Sequence, residues 1–268
     1  MKFTKRSFLM CDPKYFDVKY EINPWMHLED KPNEELSLNQ WELLKQKLLD
    51  LGADLHFIDS QPKLLDMVYT ANGGLIKGSK AVVPRFRHKE RTGEEDFFES
   101  WFKENGFEVF KPKSCFFEGE GDALISKDTL FAGFGFRSEK DCYPEIADFL
   151  SLSKIVYCEL INPYFYHLDT CFSPISSSLA LIYKEAFSLE SYNNIKNEFE
   201  NIIDISKEDA DFFSCNSVIV DNNIIMPNVS SCLEDKLNTF GYKIHRIPLE
   251  EFKKGGGASK CMSLKLFN

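Results

Sequence analysis

The chain is predicted to be an α/β protein made of repeated units, each a β-hairpin followed by a helix and a further strand. Three observations carry this prediction. Helical and strand periodicities alternate along all 268 residues. A helix stopped by glycine and followed at once by a strand occurs three times. The hairpin turns recur at intervals of roughly 50 residues, a period expected of stacked supersecondary units.

Residues 33–51 read as a helix, with Leu36, Trp41, Leu44, Leu48 and Leu51 on one face and Gly52 as the stop. Residues 53–58 read as the strand that follows. LIKGSKAVV, around Gly78, is the first hairpin, before a helix over 93–105, a stop at Gly106 and a strand over 107–110. ALISKDTLFAG around Asp128, SSSLALIY around Ser177 and VIVDNNIIM around Asn222 are further hairpins. A helix over 231–240, Gly241 and a strand over 242–247 repeat the module. Gly255, Gly256 and Gly257 then form a permissive loop, and residues 261–266 alternate like a half-buried strand. No linker, low-complexity stretch or block of like charge divides the chain, so residues 1–268 are expected to form one domain. Pattern alone leaves a three-layer α/β sandwich open.

The formal net charge of −10 argues against a generic nucleic-acid surface and is compatible with a cationic small-molecule substrate. The eight cysteines, Cys11, Cys115, Cys142, Cys158, Cys171, Cys215, Cys232 and Cys261, show no CxxC and no regular spacing. That pattern suggests neither a disulfide framework nor a zinc site, and points to reduced thiols in a cytoplasmic compartment. Lys2, Lys5 and Arg6 precede an apolar run of only Phe8, Leu9 and Met10, too short for a signal peptide. No segment approaches the length of a membrane span, so neither a membrane nor a nucleic acid is an expected partner.

Five groups of residues carry candidate chemistry. Cys261 stands between the glycine loop and the last strand, where a thiol is either a nucleophile or a buried core residue. In YHLDTCF, His167 and Asp169 alternate with Leu168, so in a strand they share a face as proton carrier and cation binder. FFEGEGDAL places Glu118, Glu120 and Asp122 among glycines and apolar residues, where crowding and burial raise carboxyl pKa values. Asn72, in TANGG, is a turn residue or an amide offered to a ligand. Arg91 and Arg137 could each clamp a carboxylate through the guanidinium fork. There is no metal-ligand cluster, P-loop or GxGxxG, so no cofactor or metal is expected.

Taken in order, TANGG, EGEGDAL, HLDTCF and GGGASKCMSL resemble the guanidine-modifying, or amidinotransferase, superfamily. Its members include arginine deiminases, dimethylarginine dimethylaminohydrolases and amidinotransferases. Over essentially the whole chain the resemblance is strongest to arginine dihydrolases of the cyanobacterial type, which MCDPKYFDVKYEINPWM, RFRHKERTGEE and FAGFGFRSE also match. It implies an α/β propeller, or pentein, of five ββαβ-like units around a pseudo-five-fold axis with the active site in the central channel. It further implies Cys261 as nucleophile, His167 as general acid/base, and Glu118 as the carboxylate that moves a proton and binds the guanidinium. Asp169 would be a second guanidinium ligand, Arg91 and Arg137 would hold the α-carboxylate, and Asn23 is the candidate for the α-amino group. One position departs from the deiminases and dimethylarginine hydrolases: their carboxylate stands where this chain has Gly119, which leaves Glu118 with Glu120 in reserve.

Those one-step enzymes also have aspartate at the position of Asn72, whereas the dihydrolases have asparagine. The implied activity is therefore an arginine dihydrolase giving ornithine, carbon dioxide and two ammonia through a covalent thiouronium intermediate. The alternatives are a one-step deiminase or dimethylarginine dimethylaminohydrolase, an amidinotransferase, and a silent arginine-binding protein. The expected partner is a small guanidine compound, with a homo-oligomer left open.

Overall fold

The alternating periodicities fold into five sheets of three strands each in this computed structural model, which describes residues 3–267. Strand β1 (Ser7–Cys11) leads through a long loop to α1 (Glu34–Asp50), which returns the chain to β2 (Asp54–Ile58), parallel to β1. The next unit is the hairpin β3 (Leu75–Lys77) and β4 (Lys80–Val82), then α2 (Glu95–Glu104) and β5 (Glu108–Phe110). It is followed by β6 (Ala123–Ser126), β7 (Thr129–Phe134), α3 (Tyr143–Phe149) and β8 (Lys154–Glu159). Then come β9 (Phe172–Pro174), β10 (Leu179–Ile182), α4 (Leu189–Lys196) and β11 (Asn201–Asp204), with a short α5 (Lys207–Asp211) behind them. The last complete unit is β12 (Val218–Val220), β13 (Asn223–Met226), α6 (Ser231–Thr239) and β14 (Lys243–Arg246), followed by α7 (Glu250–Lys253). Finally β15 (Leu264–Lys265) pairs antiparallel with β1, with Leu9 opposite Leu264, so the end of the chain completes the first sheet.

Every sheet thus has one antiparallel and one parallel pair. The antiparallel pair needs only a tight turn, whereas the parallel pair needs a helical crossover, which is why helices and hairpins alternate in the sequence. The helix stops at Gly52, Gly106 and Gly241 all lie at left-handed φ between 79° and 85°, a region that costs glycine nothing. At the start of α1, Asn33 accepts a bond from the Leu36 amide at 2.9 Å, closing the first turn. Trp41, Leu44 and Leu48 are buried as expected, but Leu36 is 50% exposed. The expected strand over 261–266 shrinks to Leu264–Lys265, and the residues before it form a tight turn in which Ser263 N donates to Lys260 O.

The apolar core is divided among neighbouring sheets. Phe98 and Phe102 of α2 pack with Leu9 and Cys11 of β1 as well as with Ile76 and Ala81 of their own sheet. Leu75 and Val82 share a cluster with Ala123 and Leu130, Leu124 and Phe131 with Leu179 and Ile224, and Val218 and Ile225 with Phe8 and Met10. No helix among the described residues is long and apolar enough to cross a membrane.

One expectation about the cysteines is corrected. Cys115 and Cys142 are joined by a disulfide, while the other six are free. Scattered spacing hides this pair, because it depends on the segment before Glu118 passing the start of α3, 27 residues away in sequence. Closing a loop of that size contributes about 3–4 kcal/mol in the chain-entropy account. Replacing both cysteines by serine is therefore expected to lower Tm measurably, by several degrees in a thermal scan. An unchanged Tm would show that the bridge does not stabilise the fold.

Candidate active site

The units converge through the turns that precede their first strands. The residue three positions before the first strand is Asn72, Glu120, Asp169, Cys215 and Cys261 in turn. Thr70–Gly73, Gly119–Gly121 and Leu168–Thr170 are single turns of 3-10 helix, the first packing on the second and the second on the third. His167 and Asp169 therefore meet through such a turn, not on the face of a strand as the alternation suggested. The turn carrying Asn72 is also tied to the nucleophile candidate, because Ala71 N donates to Cys261 O at 2.9 Å.

Cys261 is 3% exposed, with its sulfur between two polar side chains. Asp169 Oδ2 lies 3.3 Å from Sγ, and Asn216 Nδ2 lies 3.0 Å from it on another side. Burial first, and then the charge of Asp169, push the Cys261 thiol well above its usual range. Burial likewise pushes Asp169 up to about 6, against the pull of His167 and Lys260. Its Oδ1 is buried and unpartnered among the described residues. The site accordingly holds a neutral thiol beside a carboxyl group that ionises at about 6.

His167 Nε2 is 2.8 Å from Glu118 Oε2, and Arg137 donates to the same oxygen at 2.9 Å. Burial alone would raise Glu118, but Arg137 and His167 outweigh it and hold the carboxylate well below its usual range. This corrects the expectation that the acidic motif carries a raised carboxyl at Glu118, which is instead an ionised acceptor that orients His167. Glu120 takes bonds from Lys260 Nζ and Lys265 N, so its carboxylate is committed there and not to His167. Asp122 is fully buried and accepts from Ser138 N and Leu168 N, which fixes the turns on either side.

On the other wall, Arg91 binds both oxygens of Glu94 through Nε and a terminal nitrogen, at 2.9 and 2.8 Å. Its remaining terminal nitrogen donates to Asn72 Oδ1 at 2.7 Å. The fork of Arg91 is thus occupied, which leaves it a charge near the site and no free edge for a bidentate clamp. Arg137 lies over the Tyr166 ring at 4.5 Å, and its second terminal nitrogen donates to Ile22 O at 2.8 Å. Because Arg91 can only donate, the orientation of Asn72 is set: its oxygen faces the arginine and its NH2 lies against Gly121, where Nδ2 is buried without a partner among the described residues. A Cβ at Gly121 would stand 2.3 Å from Nδ2, so only glycine leaves the amide its place.

Asn23 belongs to the long loop after β1. It donates to Gly255 O and Tyr166 Oη and accepts from Trp25 N, so its polar atoms fasten the loop and none is free for an amine. With Ile22 and Met26 it covers a cavity lined by Asp66, Tyr69, Asn72, Arg91, Arg137, Tyr166 and Cys261 that has room for only about 10 Å³ of solvent. Asp169 faces a separate cavity of about 270 Å³, lined also by Lys260, Ser173 and Ser217.

Residues 12–268 match the family described as "N,N dimethylarginine dimethylhydrolase, eukaryotic". The chain belongs to this dimethylarginine dimethylaminohydrolase family. It is 44% identical over 264 residues to the bifunctional arginine dihydrolase/ornithine cyclodeaminase ArgZ of Synechocystis, covering 96% of this chain and 37% of that protein. It therefore spans well under half the length of the cyanobacterial relatives it matches. It is also 36% identical to the N(G),N(G)-dimethylarginine dimethylaminohydrolase of Mycobacterium tuberculosis, covering 97% of this chain and 86% of that one. The substrate-bound N-terminal domain of ArgZ superimposes with a TM-score of 0.94 at 42% identity, covering 98% of both chains.

Membership of the dimethylarginine dimethylaminohydrolase family agrees with the motifs in the sequence. The residues given no role there are Asp66 and Asn216, outside the motifs, and Glu94 and Tyr166, inside RFRHKERTGEE and YHLDTCF. Asp66 accepts from Tyr20 Oη through Oδ2 and leaves a buried Oδ1 without a partner, six residues before Asn72. Asn216 sits in the turn before β12, equivalent in the repeat to the turns that carry Asn72, Asp169 and Cys261. Comparing those five turns is the signal that could have found it.

Proposed function

We propose that this chain is an arginine dihydrolase that hydrolyses arginine to ornithine, carbon dioxide and two ammonia. The observation that carries the reading is the fixed amide of Asn72. Arg91 holds its oxygen, so it offers the substrate a donor and no negative charge. A donor suits the carbonyl oxygen of the neutral ureido group that the first hydrolysis creates. An aspartate there would pair with guanidinium but leave a buried charge uncompensated beside citrulline.

In this reading the guanidinium settles against Asp169 and Glu118, and its charge favours ionisation of the neighbouring thiol. Cys261 Sγ attacks the guanidinium carbon, His167 protonates the departing nitrogen, and ammonia leaves a thiouronium on the sulfur. Water, deprotonated by His167, releases citrulline and frees the thiol. A second attack at the ureido carbon expels the second ammonia and leaves a thiocarbamate on the sulfur; a second water releases it as a carbamate that loses carbon dioxide to give ornithine, with two waters consumed overall. Arg137, supported by the charge of Arg91, takes the α-carboxylate. Asp66, with its free Oδ1, is a better ammonium ligand than Asn23. The loop bearing Ile22, Asn23 and Met26 must open, because an amino acid cannot enter the space it leaves.

We also infer that residues 1–268 act as one catalytic domain whose five units close into a propeller around this site. The shared core clusters support the ring, since each sheet packs on the next and the last on the first.

The role of Asp169 predicts a pH dependence. The carboxylate is ionised above its pKa of about 6 and attracts the cation there; below it the group is neutral and affinity is lost as pH falls. A Cys261→Ser chain is expected to bind arginine about ten-fold more weakly at pH 5 than at pH 7 in a calorimetric titration. Equal affinity would remove Asp169 from the guanidinium site. The reaction itself is tested by supplying citrulline alone, from which ornithine should form. The family and the mycobacterial relative favour a one-step hydrolysis of dimethylarginine as the second reading, and citrulline inert as a substrate would support it.

A further inference from the structure

We infer that Asn216 is a catalytic residue, whose side-chain amide donates to Cys261 Sγ and stabilises the thiolate that attacks. The inference rests on the proposed reaction only in taking Cys261 as the nucleophile.

Asn216 is fully buried, and each of its side-chain atoms is committed. Oδ1 accepts from the backbone N–H of Lys260 at 3.0 Å and of Cys261 at 3.1 Å. Both partners are donors only, so the amide cannot be flipped without facing two N–H groups with its NH2. Nδ2 is thereby aimed at Sγ, 3.0 Å away, and at Asp169 O, 3.3 Å away. The same side chain thus holds the backbone of the nucleophile and donates to its sulfur.

A thiol sulfur is a weak acceptor and a thiolate a strong one, so a donor fixed at this distance lowers the cost of ionisation more than it stabilises the neutral form. The titratable groups around the sulfur work the other way. Asp169 is an acid whose negative form repels a thiolate, and Tyr69 and Tyr166, kept protonated by burial, bring no positive charge to offset it. Against them stand Asn216 and a backbone N–H from Ala258, both already in place before substrate arrives. Once a cation has neutralised Asp169, these donors hold the negative sulfur together with the charge of the cation. The arrangement does for sulfur what an oxyanion hole does for oxygen, since the dipoles need no reorganisation during attack.

The test compares Asn216→Ala and Asn216→Asp with the unaltered chain. The aspartate keeps the two backbone bonds and the shape, and it places an acceptor on the sulfur instead of a donor. Alkylation of Cys261 by iodoacetamide, read on its own peptide by mass spectrometry across pH, reports thiolate without requiring turnover. Both variants should alkylate more slowly at a given pH, by about ten-fold or more and most in the aspartate variant, with kcat reduced about a hundred-fold. Asn216→Asp is the decisive variant if the alanine chain fails to fold. A folded Asn216→Asp chain with an unchanged alkylation profile would overturn the inference. An unaltered chain that releases no ammonia from arginine would overturn the proposed reaction and leave the alkylation comparison intact.

Discussion

A Cys261→Ala chain is expected to remain folded and to bind arginine, but to turn it over at least about 10⁴-fold more slowly. The side chain is small and the substitution removes one atom from a site whose walls are fixed elsewhere. Asp169 and Asn216 keep their positions through Leu168–Thr170 and through the bonds from Lys260 N and Cys261 N. Among the described residues no other cysteine lines the covered cavity, where Cys261 faces Asn72, Arg91 and Arg137. In the proposed reaction both hydrolyses share this atom, so ammonia from arginine and ornithine from citrulline should be lost together. Steady-state assays with the two substrates check this, and appreciable residual activity on either would exclude Cys261 as the nucleophile.

An Asn72→Asp chain is expected to separate the two hydrolyses. One carboxylate oxygen would keep the bond to Arg91, and the other would bring negative charge to the place now held by an NH2 group. Guanidinium gains a partner from that change and the neutral ureido group gains none. Leaving a charge uncompensated at a buried site costs about 3–5 kcal/mol, enough to suppress the second step a hundred-fold or more. Arginine consumption should persist while citrulline accumulates in place of ornithine, as chromatography of the products would show. A variant that still delivers ornithine as fast as it consumes arginine would contradict this account of Asn72.

The repeat was legible because its signals are local. Gly52, Gly106 and Gly241 stop helices by adopting left-handed φ, and the turns at Gly78, Asp128 and Asn222 lie between paired strands. The C-terminal strand was overcalled because Met262 and Leu264 alternate whether or not a ladder forms, and only Leu264–Lys265 finds a partner in β1. The residue types of the candidate site were visible, but their pairings were not. Spacing could not show that Glu118 turns to His167 and Arg137 while Glu120 turns to Lys260. Glu94 in the fork of Arg91 is a local pair three residues apart that was passed over, whereas Asn216 against Cys261 joins residues from different units and has no local signature. The disulfide was missed because Cys115 and Cys142 carry no local signature and meet only once the start of α3 passes the segment before Glu118.

The central claim is that Cys261 attacks twice at one site, with Asn72 accommodating both the charged and the neutral substrate. Counting products per arginine consumed tests it most directly, using the purified chain with ammonia, citrulline and ornithine measured in the same reaction. The account predicts two ammonia and one ornithine for each arginine. One ammonia with a stoichiometric yield of citrulline would contradict it.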